Sequence, residues 1–380
     1  MNILIITPGY PDREKSNYAF VKQLVDEFAR QGNHCYVIAP YSTTKNKGRY
    51  EEKEQVGSNV TIYRPNHLSL STLRIGKFSP SEFFRQRAIK RALQWLPVKP
   101  DVVYCHFWEC ALEGYAYAKE NHIPLFVASG ESNISTLLKN KTIPSGLKDY
   151  LSGVICVSTK NKEESISLGL TTEEKCFVKP NAVNRELFRK LDKEGCRKKL
   201  GLPLDAFIIS FVGSFIERKG ANRVAAAIKS LSGAPVYSIF AGRGKVEPDC
   251  ENILFKGPLR HEDIPEYLNA SDVFVLPTLA EGCCNAIVEA MACGLPIISS
   301  NRPFNWDVLN DSNSIMIDPE NIQEIASAIK DLRDNLEKRN ALSDGALETA
   351  KNLTIELRAE SIVEFMESKN KFSTELEKYR

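Results

Sequence analysis

The stretch DVFVLPTLAEGCCNAIVEAMACGLPIISS, residues 272–300, decides the fold. Asp272 to Thr278 is an apolar run with the length of a buried strand. Glu281, Gly282, Cys283 and Cys284 follow in a loop. A short helix then runs to Gly294, a residue suited to the left-handed turn that ends a helix. A second apolar run, Pro296–Ser300, begins at once. Strand, loop, helix and strand in this order form a parallel βαβ unit, and loops at the carboxyl ends of such strands are where α/β folds bind ligands. Two glutamates, Glu281 and Glu289, stand eight positions apart, the first in the loop and the second in the helix. Asn285 is placed to cap the helix. The first free N–H groups of that helix would face the loop, a seat for an anion or a sugar hydroxyl.

The same alternation extends in both directions. Strands are expected in the first half at Asn2–Thr7, His34–Pro40, Val60–Arg64, Asp101–His106, Pro124–Ser129 and Gly153–Ser158. The second half restarts with Ala206–Gly213, Val236–Ala241, Asn252–Gly257, Asp272–Thr278, Pro296–Ser300 and Ser314–Asp318. Near-continuous apolar strands interleaved with helical patterns mean parallel sheets covered on both faces. The fold class is therefore α/β, with two Rossmann-like domains facing a central cleft. Residues 1–184 form the first domain and 185–360 the second. The charged stretch Arg185–Leu200 is expected to be the linker. A charged helix begins near Thr354, and residues 361–380 are expected to cross back to the first domain.

At 380 residues the chain has room for two domains, and 43% hydrophobic with 26% charged residues is ordinary for a globular protein. A net charge of +2 gives no reason to expect a nucleic-acid partner. The ten cysteines form no Cys-x-x-Cys pair, and Cys35, Cys105 and Cys156 sit in apolar strands. Buried thiols in a reducing compartment account for them better than disulfides or zinc. The N-terminus enters a strand directly, without a basic leader or a long apolar run, so the expected location is the cytoplasm.

Several strand ends carry candidate chemistry. Gly213, Ser214, Arg218 and Lys219 lie between a strand and a helix, where two adjacent cations suit a diphosphate. The alternative is a solvated basic turn. Glu289 stands in a helix with little polar face, and its carboxylate can accept from a vicinal diol such as that of a ribose. His106 ends a strand among aromatics and is either a ligand of the cleft or a packed ring. Glu131, also after a strand, is either an acid/base or hydroxyl-binding group, or part of a helix-capping cluster. Gly9 and Tyr10 begin the first loop, which runs to Asn17, and allow close approach of the backbone. Thr72–Lys99 carries Arg74, Lys77, Arg85, Arg87, Lys90, Arg91 and Lys99 against Glu82, with Phe78, Phe83, Phe84 and Trp95 interleaved. This stretch reads either as a patch for an anionic membrane surface or as a helix with a solvated basic face.

Taken together these residues resemble the retaining GT-B glycosyltransferases, the class that includes glycogen synthase and bacterial polysaccharide glycosyltransferases (family 4-like, group 1). The matching pieces are the first loop, Lys179–Asn184 with Phe188, Arg218-Lys219-Gly220, Ala241–Gly244, Lys256-Gly257-Pro258, Asn269–Asp272 with Pro277, and the Glu281/Glu289 spacing. The resemblance implies transfer of a sugar from a UDP- or GDP-linked donor to a glycan or lipid-linked glycan in capsular or exopolysaccharide synthesis. The first domain would hold the acceptor and the second the donor. Lys219 with Arg218 would neutralise the diphosphate, and Glu289 would bind the ribose. Glu281 with the N–H groups of Gly282, Cys283, Cys284 and Asn285 would hold the sugar. Phe255, Lys256 and Gly257 would face the base. Glu281, Glu131 and His106 are the candidate catalytic residues. No metal and no cofactor are expected, because cations and helix ends stabilise the leaving group. The expected location stays the cytoplasm, either free or, if the basic stretch docks on anionic lipid, at the inner face of the plasma membrane.

The chain departs from the family pattern in three places. Ser214 stands where an arginine is usual, which leaves Arg218 or Arg243 to replace it. Gly130 stands where many members have a histidine, which leaves Glu131. Ser16-Asn17 replaces paired glycines in the first loop. Two other functions fit the same architecture. One is a sugar-nucleotide epimerase, although no acid/base set for it is in view. The other is a nucleotide-sugar-binding protein without catalysis.

Overall fold

The computed structural model describes residues 1–11, 18–43, 52–70, 73 and 78–377, with side chains up to residue 369. Chain contacts divide it into two compact units, Met1–Lys179 with Ala359–Arg380, and Pro180–Arg358.

Among the described residues, the main sheet of the first unit has eight strands: β1 (Asn2–Ile6), β2 (His34–Ile38), β3 (Lys53–Val56), β4 (Val60–Tyr63), β5 (Val102–His106), β6 (Leu125–Ser129), β7 (Leu151–Cys156) and β8 (Cys176–Val178). Their order across the sheet is β8-β7-β6-β5-β1-β2-β4-β3. All pairs are parallel except β3 with β4. Ile3, Leu4, Ile5 and Ile6 are all buried, as a strand covered by helices on both faces requires. The six expected strands are present. The two additional ones are the sheet's edges. Lys53-Glu-Gln-Val56 is mostly exposed and carries no apolar run, and Cys176–Val178 is three residues long. Charged or short edge strands protect a sheet from further pairing, and for the same reason they leave no hydrophobic signal.

The second unit has six parallel strands: β9 (Phe207–Val212), β10 (Val236–Ala241), β11 (Ile253–Gly257), β12 (Val273–Leu276), β13 (Ile297–Ser300) and β14 (Ser314–Ile317). The order is β11-β10-β9-β12-β13-β14. The chain winds outward from β9 in one direction and then restarts at β12 in the other. The point of reversal lies between β9 and β12, which is where doubly wound sheets bind ligands.

The stretch Arg185–Leu200 is not a linker, which corrects the expectation from its charge. Lys193–Leu200 is a helix of the second unit, started by the Asp192 side chain accepting from Gly195 N–H and ended by Gly201 at φ 66°. Arg197 is only 4% exposed. Its guanidinium donates to Asp272 at 2.8 Å and to the Ala270 carbonyl at 2.9 Å. Asp272 also accepts from Ile208 N–H at 2.8 Å. A buried pair of this kind costs about 3–5 kcal/mol when one partner is removed.

The last helix, Ile355–Glu377, begins in the second unit, where Ile355 N–H donates to the Val183 carbonyl at 3.1 Å. Farther along, Phe365 belongs to the first unit. Its ring stacks on Phe177 with centroids 5.1 Å apart and meets Phe126 edge-on. Gly153 makes room for it, since a Cβ there would lie 2.5 Å from that ring.

Candidate functional site

The loops after β9 and β12 meet at the reversal point of the second sheet. Leu279 N–H donates to the Arg218 carbonyl at 2.8 Å, and Arg223 reaches the Pro277 carbonyl at 2.8 Å. Gly220 begins the helix Ala221–Lys229 at φ 80°, and a Cβ there would stand 2.8 Å from the Pro277 carbonyl oxygen. Only glycine fits both demands. On the other side, β10 continues into Gly242-Arg243-Gly244, which pairs with the β9 loop. Gly213 N–H donates to Ala241 and Phe215 N–H to Arg243, both at 2.9 Å. A Cβ on Gly242 would fall 1.9 Å from the Gly213 carbonyl oxygen, so this approach also requires glycine.

This frame brings Arg218, Lys219 and Glu281 together. Glu281 Oε1 lies 2.7 Å from Arg218 Nη1, 2.7 Å from Lys219 Nζ and 2.7 Å from the Thr278 hydroxyl. Arg218 also donates to the Ala280 carbonyl. The Arg218 side chain is 36% exposed, against 14% for Lys219 and 12% for Glu281. Burial opposes the charge on Lys219, but the neighbouring Cys284 and Glu281 outweigh it and hold the ammonium above its ordinary range. Two cations are thus held at one point by a carboxylate that a polyanionic ligand could relieve of them.

The helix of the second glutamate spans Asn285–Ala292. Asn285 does not cap it, contrary to expectation. Cys284 holds the capping position, its side chain makes no capping hydrogen bond, and Asn285 is the first helical residue. The Cys284 thiol lies 3.8 Å from Lys219 Nζ, and burial pushes its pKa up. Cys283 is fixed through its carbonyl, which accepts from Asn181 at 2.9 Å, and Gly282 is buried beside it. Glu289 lies one helical turn farther on, and its Oε1 is 2.9 Å from His261 Nε2. His261 is a site residue the sequence analysis missed. It is a lone histidine in a charged turn, 28 positions from its partner, and no local pattern signals it.

The remaining donor candidates are more dispersed. Ser214 and Arg243 are exposed at the rim of the β9 and β10 loops. Phe255 lies on β11 with its ring packed on Tyr267 at 4.7 Å. Lys256 pairs with Glu247 at 2.9 Å, and Gly257 accepts from Gly242 N–H at 2.8 Å.

In the first unit, Glu131 starts a helix that is not its own. Its carboxylate accepts from Trp108 N–H at 2.7 Å, at the first residue of the helix Trp108–Glu120, and from Gly130 N–H at 2.9 Å. Burial pushes its pKa up to about 7 against these hydrogen bonds. His106 is buried among Phe20, Phe107 and Tyr104, with ring centroids 5.0–5.9 Å away. A Cβ on Gly9 would lie 2.8 Å from the Tyr18 ring, and the Thr7 hydroxyl donates to the Gly9 carbonyl at 2.9 Å. Burial pushes the Tyr10 hydroxyl pKa well up. Asn17, Arg74 and Lys77 lie outside the described residues. Among the described residues, no cluster of His, Cys, Asp and Glu could hold a metal ion, and no helix is long and apolar enough to cross a membrane.

The basic stretch is only partly a surface feature. Arg85 is held between Glu109 at 3.1 Å and Glu113 at 3.2 Å, and Lys141 joins Glu109 to Glu82. Arg85 therefore does not belong to an outward basic face. Arg87, Lys90 and Arg91 are exposed, Arg87 lying over Phe83 and Arg91 over Trp95. Phe78, Phe83 and Phe84 are exposed beside them.

Known proteins place this architecture. Residues 19–187 match the sequence model of Glycosyltransferase Family 4, and residues 192–349 match that of Glycosyl transferases group 1. The chain belongs to the GT-B glycosyltransferases. It is 25% identical to the Bacillus subtilis (strain 168) protein TuaC, named for teichuronic acid biosynthesis, over 87% of this chain and 88% of that one. It is 28% identical to the Escherichia coli UDP-Gal:alpha-D-GlcNAc-diphosphoundecaprenol alpha-1,3-galactosyltransferase, over 62% of this chain and 67% of that one. Sucrose-phosphate synthase from Thermosynechococcus elongatus has the same fold, with a TM-score of 0.80 at 17% identity, over 97% of this chain and 99% of that one.

Proposed function

We propose that this glycosyltransferase moves a sugar, with retention and without a metal ion, from a UDP- or GDP-linked donor. The acceptor is a glycan or lipid-linked glycan in cell-surface polysaccharide synthesis. One observation carries the reading. Arg218 and Lys219 converge on Glu281 beside a helix start that no side chain caps. The diphosphate takes the two cations and faces that helix start, where positive charge and N–H donors stabilise the departing nucleotide. Arg243, at the exposed rim, replaces the arginine that Ser214 lacks. Glu281 turns to the sugar hydroxyls, and Glu289 takes the ribose. The chain has no Asp-x-Asp sequence, through which metal-dependent sugar transferases commonly hold a divalent ion on the diphosphate. Glu131 and His106 are the acceptor-side candidates, and a carboxyl near pH 7 is matched to proton exchange there. The names of the two sequence relatives support the polysaccharide setting and the lipid-linked acceptor.

A membrane role belongs to the same proposal, in narrower form than the sequence suggested. Arg87, Lys90 and Arg91, with Phe83 and Phe84, offer an anionic bilayer cations and insertable rings, and Arg85 plays no part. This would hold a cytoplasmic protein reversibly at the inner face of the plasma membrane.

A panel of nucleotide sugars tests the reaction. The expected result is slow release of free sugar and nucleoside diphosphate from one donor, undiminished by EDTA, with transfer products that keep the donor's anomeric configuration by NMR. An epimerised sugar, an inverted linkage, or activity lost in EDTA and restored by Mg²⁺ would overturn it.

A further inference from the structure

We propose that His261 is a positioning residue for ribose recognition, holding the Glu289 carboxylate so that its remaining capacity faces the vicinal hydroxyls of the donor. The inference rests on the reading of Glu289 as the ribose ligand. A carboxylate on a helix turns about several side-chain bonds, and a diol is bound well only when one orientation persists. Glu289 is 12% and His261 27% exposed, and they meet at 2.9 Å through a single carboxylate oxygen. A carboxylate has about four lone-pair sites, so one donated hydrogen bond leaves room for two hydroxyls. The imidazole is itself fixed, its ring meeting Phe188 edge-on with centroids 5.0 Å apart. Phe188 comes from the segment after Asn184, His261 from the turn after β11, and Glu289 from the helix after β12. Three separate chain segments thus converge on one side-chain orientation.

The charge state supports the geometry. Burial lowers the His261 pKa, but the hydrogen bond to Glu289 and its charge outweigh that, so the net displacement is upward from 6.5. Glu289 is the charged group that faces the ring. The adjacent Arg260 is paired with Glu262 and Asp263, and Phe188 on the packed side is neutral. The charged hydrogen bond is therefore complete below pH 6.5 and weakens as pH rises through the folded-state value.

The test is calorimetric binding of UDP and GDP against their 2′,3′-dideoxy counterparts, at pH 6 and pH 9. Taking the ratio of the two affinities cancels the titration of the diphosphate. In the wild type the ribo form should bind about tenfold tighter, as expected for loss of charge-assisted hydrogen bonds, with a larger ratio at pH 6. His261→Phe keeps a ring against Phe188 and removes the donor, so the ratio should fall toward one with dideoxy affinity unchanged. His261→Gln keeps a donor that does not titrate, so the ratio should persist and lose its pH dependence. If His261→Phe weakens both ligands equally, or leaves the ratio intact while Glu289→Gln abolishes it, the positioning role is overturned and the ribose reading stands. If Glu289→Gln leaves the ratio intact, the ribose reading itself fails. Should His261→Phe not fold, the glutamine variant and the wild-type pH profile decide the matter: equal pH dependence in both overturns the proposal.

Discussion

Glu131 in the first unit and Glu281 in the second are both glutamates just beyond a strand's carboxyl end, yet they are held in opposite ways. Glu131 is bound by the backbone N–H groups of Trp108 and of its neighbour Gly130, with the buried Ser129 hydroxyl donating at 3.3 Å, and so is built into the start of a helix. Glu281 is bound by the side chains of Arg218, Lys219 and Thr278. Backbone donors cannot leave without unfolding a helix turn, whereas side-chain cations can turn to a stronger anion. A buried carboxylate whose partners are mobile charges can be rearranged whole by a ligand, whereas one held by backbone donors keeps its place and has only its proton to exchange. The first site is a scaffold with a perturbed proton, and the second is a set of exchangeable ion pairs.

The largest expected effect comes from removing an exchangeable cation. Lys219→Ala should weaken nucleoside diphosphate binding by about ten- to a hundredfold, the value of a charge-assisted phosphate contact. Unchanged affinity by calorimetry would mean that the ammonium serves only Glu281.

The two glutamates of the second unit should separate next. Glu289→Gln should reduce nucleoside diphosphate affinity by about tenfold, through its ribose contact. Glu281→Gln should leave that affinity equal or higher, because Arg218 and Lys219 lose a competitor, while turnover falls. Equal losses of nucleotide affinity in both variants would erase the distinction.

A smaller effect probes the built-in carboxyl. The folded-state pKa of Glu131, about 7, lies above the ordinary 4.5. Between these values the native chain retains a proton that the unfolded chain has released, so its contribution to stability falls as pH rises. Glu131→Gln cannot titrate and should gain on the wild type by roughly 1 kcal/mol or more between pH 5 and pH 8, read from urea melts. A constant difference across that range would show that the carboxyl is not perturbed.

The smallest effect concerns the basic face. Changing Arg87, Lys90 and Arg91 together to glutamine should weaken co-sedimentation with anionic vesicles by about 1 kcal/mol per residue at low salt and less at physiological salt. Arg85→Gln should instead lower thermal stability, since it takes the cation from buried Glu113 and leaves Glu109 with Lys141 alone. A loss of vesicle binding confined to the Arg85 variant would reverse that division.

The sequence by itself determined the central parallel strands of the two sheets, because strands covered on both faces must be continuously apolar and so announce themselves. It also determined that Arg218-Lys219 and Glu281 lie in loops after strands of one domain and Glu289 in the helix after the second loop, since strand–loop–helix spacing is a local property. Only the tertiary structure decided what those groups touch. The charge of Arg185–Leu200 suggested a solvated linker, but Arg197 is buried because Asp272, 75 positions away, meets it with an opposite charge. Arg85 looked like part of a basic surface until the next helix placed Glu109 and Glu113 against it. His261 had no signal at all, because its meaning is Glu289, which reaches it through the order of strands in the sheet. Periodicity and local spacing are written along the chain, whereas the pairing of charges depends on distances that exist only after it folds.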